Sequence, residues 1–230
     1  MTATKGVRGR LPIALDAMGG DRAPRTVVEA SILASERGLG PITLIGDQEK
    51  INEIAKGRLP EEVEVVNASE WIAMTESPGR AARSKPNSSM HVGMRAVKSG
   101  EAAAFVTAGN SGAALAVGLM TLKRIKGCER PAIASIMPSR SGKVVLLDMG
   151  ANVECRASHL AQFAVLGASY ARVVLECPRP KVALLSNGAE SNKGTETLRE
   201  AHRLLNQMDL NYIGYQEAQA LPHGQCDVLV

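Results

Sequence analysis

Aromatic side chains are nearly absent: one Trp, three Tyr and two Phe supply only 3% of the 230 residues. With so little for bases to stack upon, the net charge of +4 does not point to a nucleic-acid partner. The four cysteines, Cys128, Cys155, Cys177 and Cys226, form no CxxC pair, which disfavours a zinc centre or a redox dithiol and leaves them as plain core or surface residues. No stretch approaches the roughly 18 apolar residues that a membrane-crossing helix needs, and the basic start, Met1 to Arg10, has no apolar segment of the signal-peptide kind. A cytoplasmic protein is expected. Two nucleotide signatures are also missing: there is no GxxxxGK[ST], and no GxGxxG follows the first apolar run. Neither a metal nor an organic cofactor is expected.

What is present is an alternation of short β-branched runs with helical stretches, the pattern of a largely parallel sheet covered by helices. Strands are predicted at 11–16, 42–45, 63–66, 103–107, 132–136, 144–147, 182–185, 212–214 and 227–230. Helices are predicted at 24–37, 48–56, 89–98, 113–123, 158–175 and 195–208. The runs 132–136 and 144–147 are joined by a link too short for a helix, so they should pair antiparallel and make the sheet mixed. The longest irregular stretch is 67–87. A hydrophobic fraction of 45% and a charged fraction of 22% suit a globular domain. The expected organisation is a disordered basic tail over 1–10 and a single α/β domain over 11–230. The last residues read as a strand with no turn or polar tail after it, so that domain is expected to be incomplete at its C-terminus.

Four segments share one grammar, an apolar strand followed by a glycine-rich loop with Asp or Asn and then a helix. They are 14–21, 106–113, 146–152 and 184–194. In open α/β sheets such loops gather at the carboxyl ends of the strands, where ligands bind. Glycine allows close backbone approach, and the free N–H groups of the following helix favour an anion, so one shared phosphate site is expected. For any single loop the plainer alternative is a tight turn whose Asp or Asn caps the helix. The candidate catalytic residues are Lys193, Asn187, Asn110 and Asp148. The candidate substrate-binding residues are Asp16, Gly19, Gly20, Asp21, Lys85, Ser88, Ser89, Thr107, Gly109, Ser111, Gly112, Gly150, Asn152, Gly188, Glu190 and Gly194. An ammonium among glycines, Lys193, can reach phosphate as a point charge. Backbone N–H groups of Gly19, Gly20 and 109–112 would share that load, with Asn110 and Asn187 steadying a thioester oxyanion. Asp16, Asp21 and Asp148 either accept N–H bonds that set loop geometry or relay a proton. His91, His159, His202 and His223 abut none of these loops and are read as structural. The stripe Met90, Met94, Val97 is core packing before it is an acyl pocket. Basic clusters at Arg80, Arg83, Lys85 and at Lys123, Arg124, Lys126, Arg130 are read mainly as solvated surface.

The wording of these loops, Leu15-Asp-Ala-Met-Gly-Gly-Asp21, Ser88-Ser-Met90, Thr107-Ala-Gly-Asn-Ser-Gly-Ala113, Glu129-Arg-Pro-Ala132, Leu147-Asp-Met-Gly-Ala-Asn152 and Asn211-Tyr-Ile-Gly-Tyr-Gln-Glu217, closely resembles the bacterial phosphate acyltransferases. That resemblance implies a three-layer, mostly parallel α/β fold of the isopropylmalate-dehydrogenase and phosphotransacetylase kind. It implies transfer of a fatty acyl group from acyl carrier protein to inorganic phosphate, giving acyl phosphate for phospholipid synthesis. A homodimer and a peripheral contact with the inner face of the membrane are implied as well. The loop 186–194 departs from the family wording at Ser191 and Asn192. It is also similar to the Ser-Thr-Lys-Gly segment of phosphotransacetylases, so acyl transfer between coenzyme A and phosphate is the alternative. A non-catalytic scaffold for carrier protein or membrane surface is a third reading, resting on the basic clusters alone.

Overall fold

Alternate residues of each apolar run face opposite ways in a strand, and runs buried on both faces need helices on both sides. The computed structural model, which describes residues 10–152, 154–188 and 194–230, meets that requirement in two compact units, Met1–Lys123 and Arg124–Val230. The α/β class and the mostly parallel pairing are as expected, with the nine strands among the described residues shared between two sheets.

The first unit runs β1 (Ile13–Asp16), α1 (Arg25–Glu36), β2 (Ile42–Gly46), α2 (Gln48–Ala55), β3 (Val63–Asn67), α3 (Pro78–Ser84), α4 (Ser89–Ser99), β4 (Ala104–Val106) and α5 (Ser111–Thr121). Its sheet is wholly parallel in the order β3-β2-β1-β4. Leu44 of β2 joins Val28 and Ile51 beneath α1 and α2, whereas the next residue, Ile45, joins Ala14 and Ala102 beneath α4. Gly93 lets α4 lie that close, because a Cβ there would strike the Phe105 ring. Met90 and Met94 pack with Ala113 and Val117, and Val97 of the same helix packs against Ala14 and Ile45, so the methionine stripe is core. The chain winds outward from β1 to β3 and then returns to place β4 on the other side of β1. That reversal makes the crevice between β1 and β4 the switch point of this sheet.

The second unit runs β5 (Ser135–Ser139), β6 (Gly142–Leu146), α6 (Ala157–Val174), β7 (Val182–Leu185), α7 (Glu196–Asn206), β8 (Tyr212–Gln216), α8 (Ala220–His223) and β9 (Val228–Leu229). Its order is β5-β6-β9-β7-β8, with β5 and β6 antiparallel as expected and every other pair parallel. Val145 faces Phe163 and Val228 under α6, and Val144 faces Cys226 and Leu229 on the other side. Gly167 brings α6 down onto the sheet: a Cβ there would stand 2.5 Å from Val228 Cγ1 and 2.7 Å from Leu147 Cδ1.

Two local expectations need correction. β5 begins at Ser135, not at residue 132, because the backbone at Pro131 and Ile133 is already bonded to Asn152 and Asp148 and is not free to ladder. The strand then runs through Pro138, tolerated because β5 is an edge strand. The stretch 67–87 contains α3, started by Ser77 with Pro78 at its first position, a helix-start signal that glycine and a second proline nearby had obscured.

Candidate active site

At the switch point of the first sheet, β1 and β4 run parallel with Leu15 opposite Val106, so the loops that leave them start side by side. Asp16 is buried at the tip of β1. Its Oδ1 accepts from Met18 N–H at 3.0 Å, and its Oδ2 accepts from the Thr107 hydroxyl at 2.7 Å. Thr107 Oγ1 in turn accepts from Gly109 N–H at 2.9 Å, so one carboxylate holds both loops in register. Gly19 is the point of closest approach, for a Cβ there would lie 2.7 Å from Asp16 Oδ2 and from Thr107 Oγ1. Gly20 has φ +105°, a conformation that side-chain-bearing residues rarely adopt. Asp21 is exposed at the end of this turn.

Asn110 caps α5 by accepting from Ala113 N–H at 3.0 Å. That cap leaves the N–H groups of Ser111 and Gly112 in the open first turn of the helix, where an anion is favoured. The Asn110 amide nitrogen donates to the carbonyls of Met74 and Glu76, so this carboxamide is engaged at both ends and ties the 73–77 segment to the helix. Glu76 accepts from Ala73 N–H and from Lys85 Nζ, each at 2.7 Å, and Lys85 also donates to the Trp71 carbonyl. The Lys85 bond, followed by that from Ala73, holds the Glu76 carboxyl below its ordinary range. Lys85 therefore braces a loop from within an ion pair. Beside Gly20 a cleft of about 310 Å³ is walled by Met18, Pro24, Trp71, Ile72 and Met74 together with Lys50, whose ammonium lies over the Trp71 ring. A larger one of about 500 Å³ is lined by Asp47, Glu49 and Asn67, and its carboxylates disfavour an anionic guest.

Ser88 and Ser89 are fully buried at the start of α4. Ser88 Oγ shares a 3.0 Å hydrogen bond with His91 Nδ1, while Ser89 Oγ has no hydrogen-bond partner among the described residues. Burial, with Arg95 adding to it, lowers the His91 pKa from 6.5. The unfolded chain then takes up a proton near pH 6.5 that the native state refuses until lower pH, so stability contributed by neutral His91 is complete above 6.5 and lost as pH falls below it. In urea melts at pH 7.5 and 5.0, His91→Gln should lose less stability between the two conditions than the parent chain does.

In the second unit, β6 and β7 flank β9 in parallel and deliver their loops to the same edge, one strand apart. Asp148 Oδ1 accepts from Ile133 N–H at 2.7 Å, and Oδ2 accepts from Asn152 N–H at 2.7 Å and Nδ2 at 3.1 Å. Both carboxylate oxygens are thus committed to shaping the loop, which turns at Gly150 with φ +80°. Ser186 is buried, Asn187 exposed, and their side chains meet at 3.4 Å. Gly188 is buried, and Gly194 sits against Leu198 at the head of α7, whose N-cap Thr195 accepts from Leu198 N–H. Lys193 and Glu190 lie outside the described residues. Burial pushes the Cys226 thiol up to about 11 and also raises Cys155 and Cys177, so none of these three is an activated nucleophile.

Arg130, which composition groups with the basic surface, belongs instead to this loop cluster. Its motif, Glu-Arg-Pro-Ala, carries no signal that the residue is partly buried and that its Nε donates to Asn152 Oδ1. Among the described residues no helix is long and apolar enough to cross a membrane, and no cluster of three or more His, Cys, Asp or Glu could hold a metal ion.

A family model described as fatty acid synthesis protein matches residues 11–230. A phosphate acyltransferase from Geobacter sp. (strain M21) is 47% identical over 220 residues, spanning 95% of this chain and 62% of that protein. A phosphate acyltransferase from Syntrophotalea carbinolica is 45% identical over 226 residues, spanning 96% of this chain and 64% of its own length. The chain therefore covers a little under two thirds of these relatives. Among solved structures, EutD phosphotransacetylase from Staphylococcus aureus aligns with a TM-score of 0.65 at 20% identity over 96% of this chain and 77% of that one. A branched-chain phosphotransacylase from Enterococcus faecalis V583 aligns with a TM-score of 0.64 at 16% identity over 96% and 79%. Identities this low speak to the fold alone. By its match across 11–230, carrying every loop described above, the chain belongs to the fatty acid synthesis protein family.

Proposed function

We propose that this chain transfers a fatty acyl group from acyl carrier protein to inorganic phosphate, releasing the carrier thiol and acyl phosphate for phospholipid synthesis. The observation that carries the reading is the joining of loops 16–21 and 107–112 at a sheet switch point, in a chain 47% identical to a protein named phosphate acyltransferase. A phosphate oxygen attacks the thioester carbonyl, the C–S bond breaks, and the thiolate leaves and takes a proton from water. Phosphate is already a competent nucleophile near neutral pH, so orientation and oxyanion stabilisation carry most of the catalysis.

In the first unit, the N–H groups of Gly19, Gly20, Ser111 and Gly112 suit an anion, and the Met18, Ile72 and Met74 walls of the neighbouring cleft suit part of an apolar chain, with the Lys50 ammonium beside them. In the second, Asn187 steadies the oxyanion and Lys193 contacts phosphate. Asp148 and Asn110 act by holding their loops, a role supported by the bonds each already makes. The protein works in the cytoplasm as a homodimer, with peripheral contact at the inner membrane face.

The test is thioester loss measured with acyl carrier protein or coenzyme A as the carrier, with and without phosphate. Phosphate-dependent loss from the carrier-protein thioester, with acyl phosphate as product, is expected. Preference for the coenzyme A thioester moves the reading to phosphotransacetylase chemistry. Carrier binding without thioester loss overturns it in favour of a scaffold.

A further inference from the structure

We propose that Arg130 forms a preorganised phosphate-binding site in the second unit, its two terminal guanidinium nitrogens gripping two oxygens of one phosphate group. The inference deepens the acyl-transfer reading and rests on it for the identity of the ligand.

The guanidinium is fixed from both ends. Its backbone N–H and that of Glu129 both donate to Gln162 Oε1 on α6, at 3.2 and 2.8 Å, while Gln162 Nε2 donates to the Gly127 carbonyl at 2.9 Å. At the tip, Nε donates to Asn152 Oδ1. Asn152 cannot turn its amide round, because its Nδ2 donates to the Pro131 carbonyl at 2.9 Å and to Asp148 Oδ2 at 3.1 Å. Its backbone N–H is bound to the same Asp148 oxygen. Asp148 thus orients Asn152, and Asn152 orients Arg130.

This arrangement uses one of the five guanidinium N–H donors and spends it on a neutral amide. The remaining four sit on the two terminal nitrogens, whose spacing matches two oxygens of a phosphate. Among the described residues no carboxylate pairs with Arg130: its neighbour Glu129 lies 3.7 Å from His159 Nε2, and Asp148 is occupied by N–H donors. A partly buried, permanently charged group held in place and left without a counter-charge among the described residues is the chemistry of an anion site. A residue serving only to brace the loop would find its ion pair within the fold, as Lys85 does with Glu76.

Two sources could supply the phosphate group: inorganic phosphate, and the phosphodiester of a carrier's pantetheine arm. Calorimetric titration of the 230-residue chain with inorganic phosphate and, separately, with a seryl-peptide phosphopantetheine diester distinguishes them. Arg130→Gln should weaken whichever binds by tenfold or more. Arg130→Lys, which keeps the charge but loses the fork, should fall between, and Asn152→Ala should weaken binding through loss of aim alone. Should Arg130→Gln not fold, phenylglyoxal labelling of the unmutated chain decides: the bound ligand should protect Arg130, read by peptide mass, while Arg203 on the exposed face of α7 continues to react. Binding unchanged in Arg130→Lys and Arg130→Gln, absence of binding by either ligand, or labelling of Arg130 indifferent to ligand overturns the proposal. Phosphate-dependent thioester loss with an unaltered phosphate KM in Arg130→Lys sinks this site and leaves the enzyme reading standing. Phosphate protection of Arg130 in a chain without that activity does the reverse.

Discussion

Asp16→Ala is expected to lower phosphate-dependent turnover by about two orders of magnitude, the scale on which misplacing a catalytic loop by roughly 1 Å acts. The carboxylate is buried and bonds both the Met18 N–H and the Thr107 hydroxyl, so removing it releases two loops at once. Each donor left unsatisfied costs about 1–3 kcal/mol, so the variant should also melt earlier in urea. Asp16→Asn tests the direction of the bond: its amide nitrogen would present a donor where Thr107 needs an acceptor. Gly19→Ala reaches the same lock by crowding, since its new methyl would press on Asp16 Oδ2 and Thr107 Oγ1. Steady-state rates within about threefold of the parent in Asp16→Ala and Gly19→Ala, with intact folds, would remove the first-unit loops from the chemistry.

Asp148→Ala should be the most destabilising single change in the second unit's loops, by about 2–4 kcal/mol, from the charge-assisted bonds it makes to Ile133 and Asn152. Both backbone donors lose their acceptor together, and Asn152 loses the contact that orients it. Asp148→Asn should recover little, because a carboxamide offers one acceptor oxygen where two are in use. Urea unfolding gives the stability directly. A loss under about 0.5 kcal/mol would mean that water or loop movement satisfies these N–H groups. If turnover of a folded Asp148→Asn fell while the phosphate KM held, Asp148 would have a chemical role beyond bracing.

Strand and helix positions were legible wherever the pattern was regular. The β-branched runs at 42–45 and 182–185 became β2 and β7, and the 158–175 stretch became α6 with shifts of one residue. The pattern failed where side chains compete for backbone bonds. Residues 132–134 are as apolar as a strand, but Asp148 takes the Ile133 N–H and the Met149 N–H takes the Ile133 carbonyl, both from more than a dozen residues away. For the site, glycine and Asp spacing marked the loops but could not separate residues that meet a ligand from those that hold the loop. Asn110 and Asp148 look alike in sequence to free donors and acceptors, and both are engaged in the fold.

The α/β class, the places where glycine-rich turns must leave a strand, and the family were all legible in the residue order, because periodicity and short motifs are local properties of the chain. Tertiary structure decided that β4 returns beside β1 and that Thr107 completes a bond to a carboxylate 91 positions earlier. It decided equally that Arg130 is held by Asn152 and Gln162 and pairs with no carboxylate among the described residues. Hydrogen bonds and burial of this kind link residues far apart in the chain, and local composition carries no record of which donors are already spent.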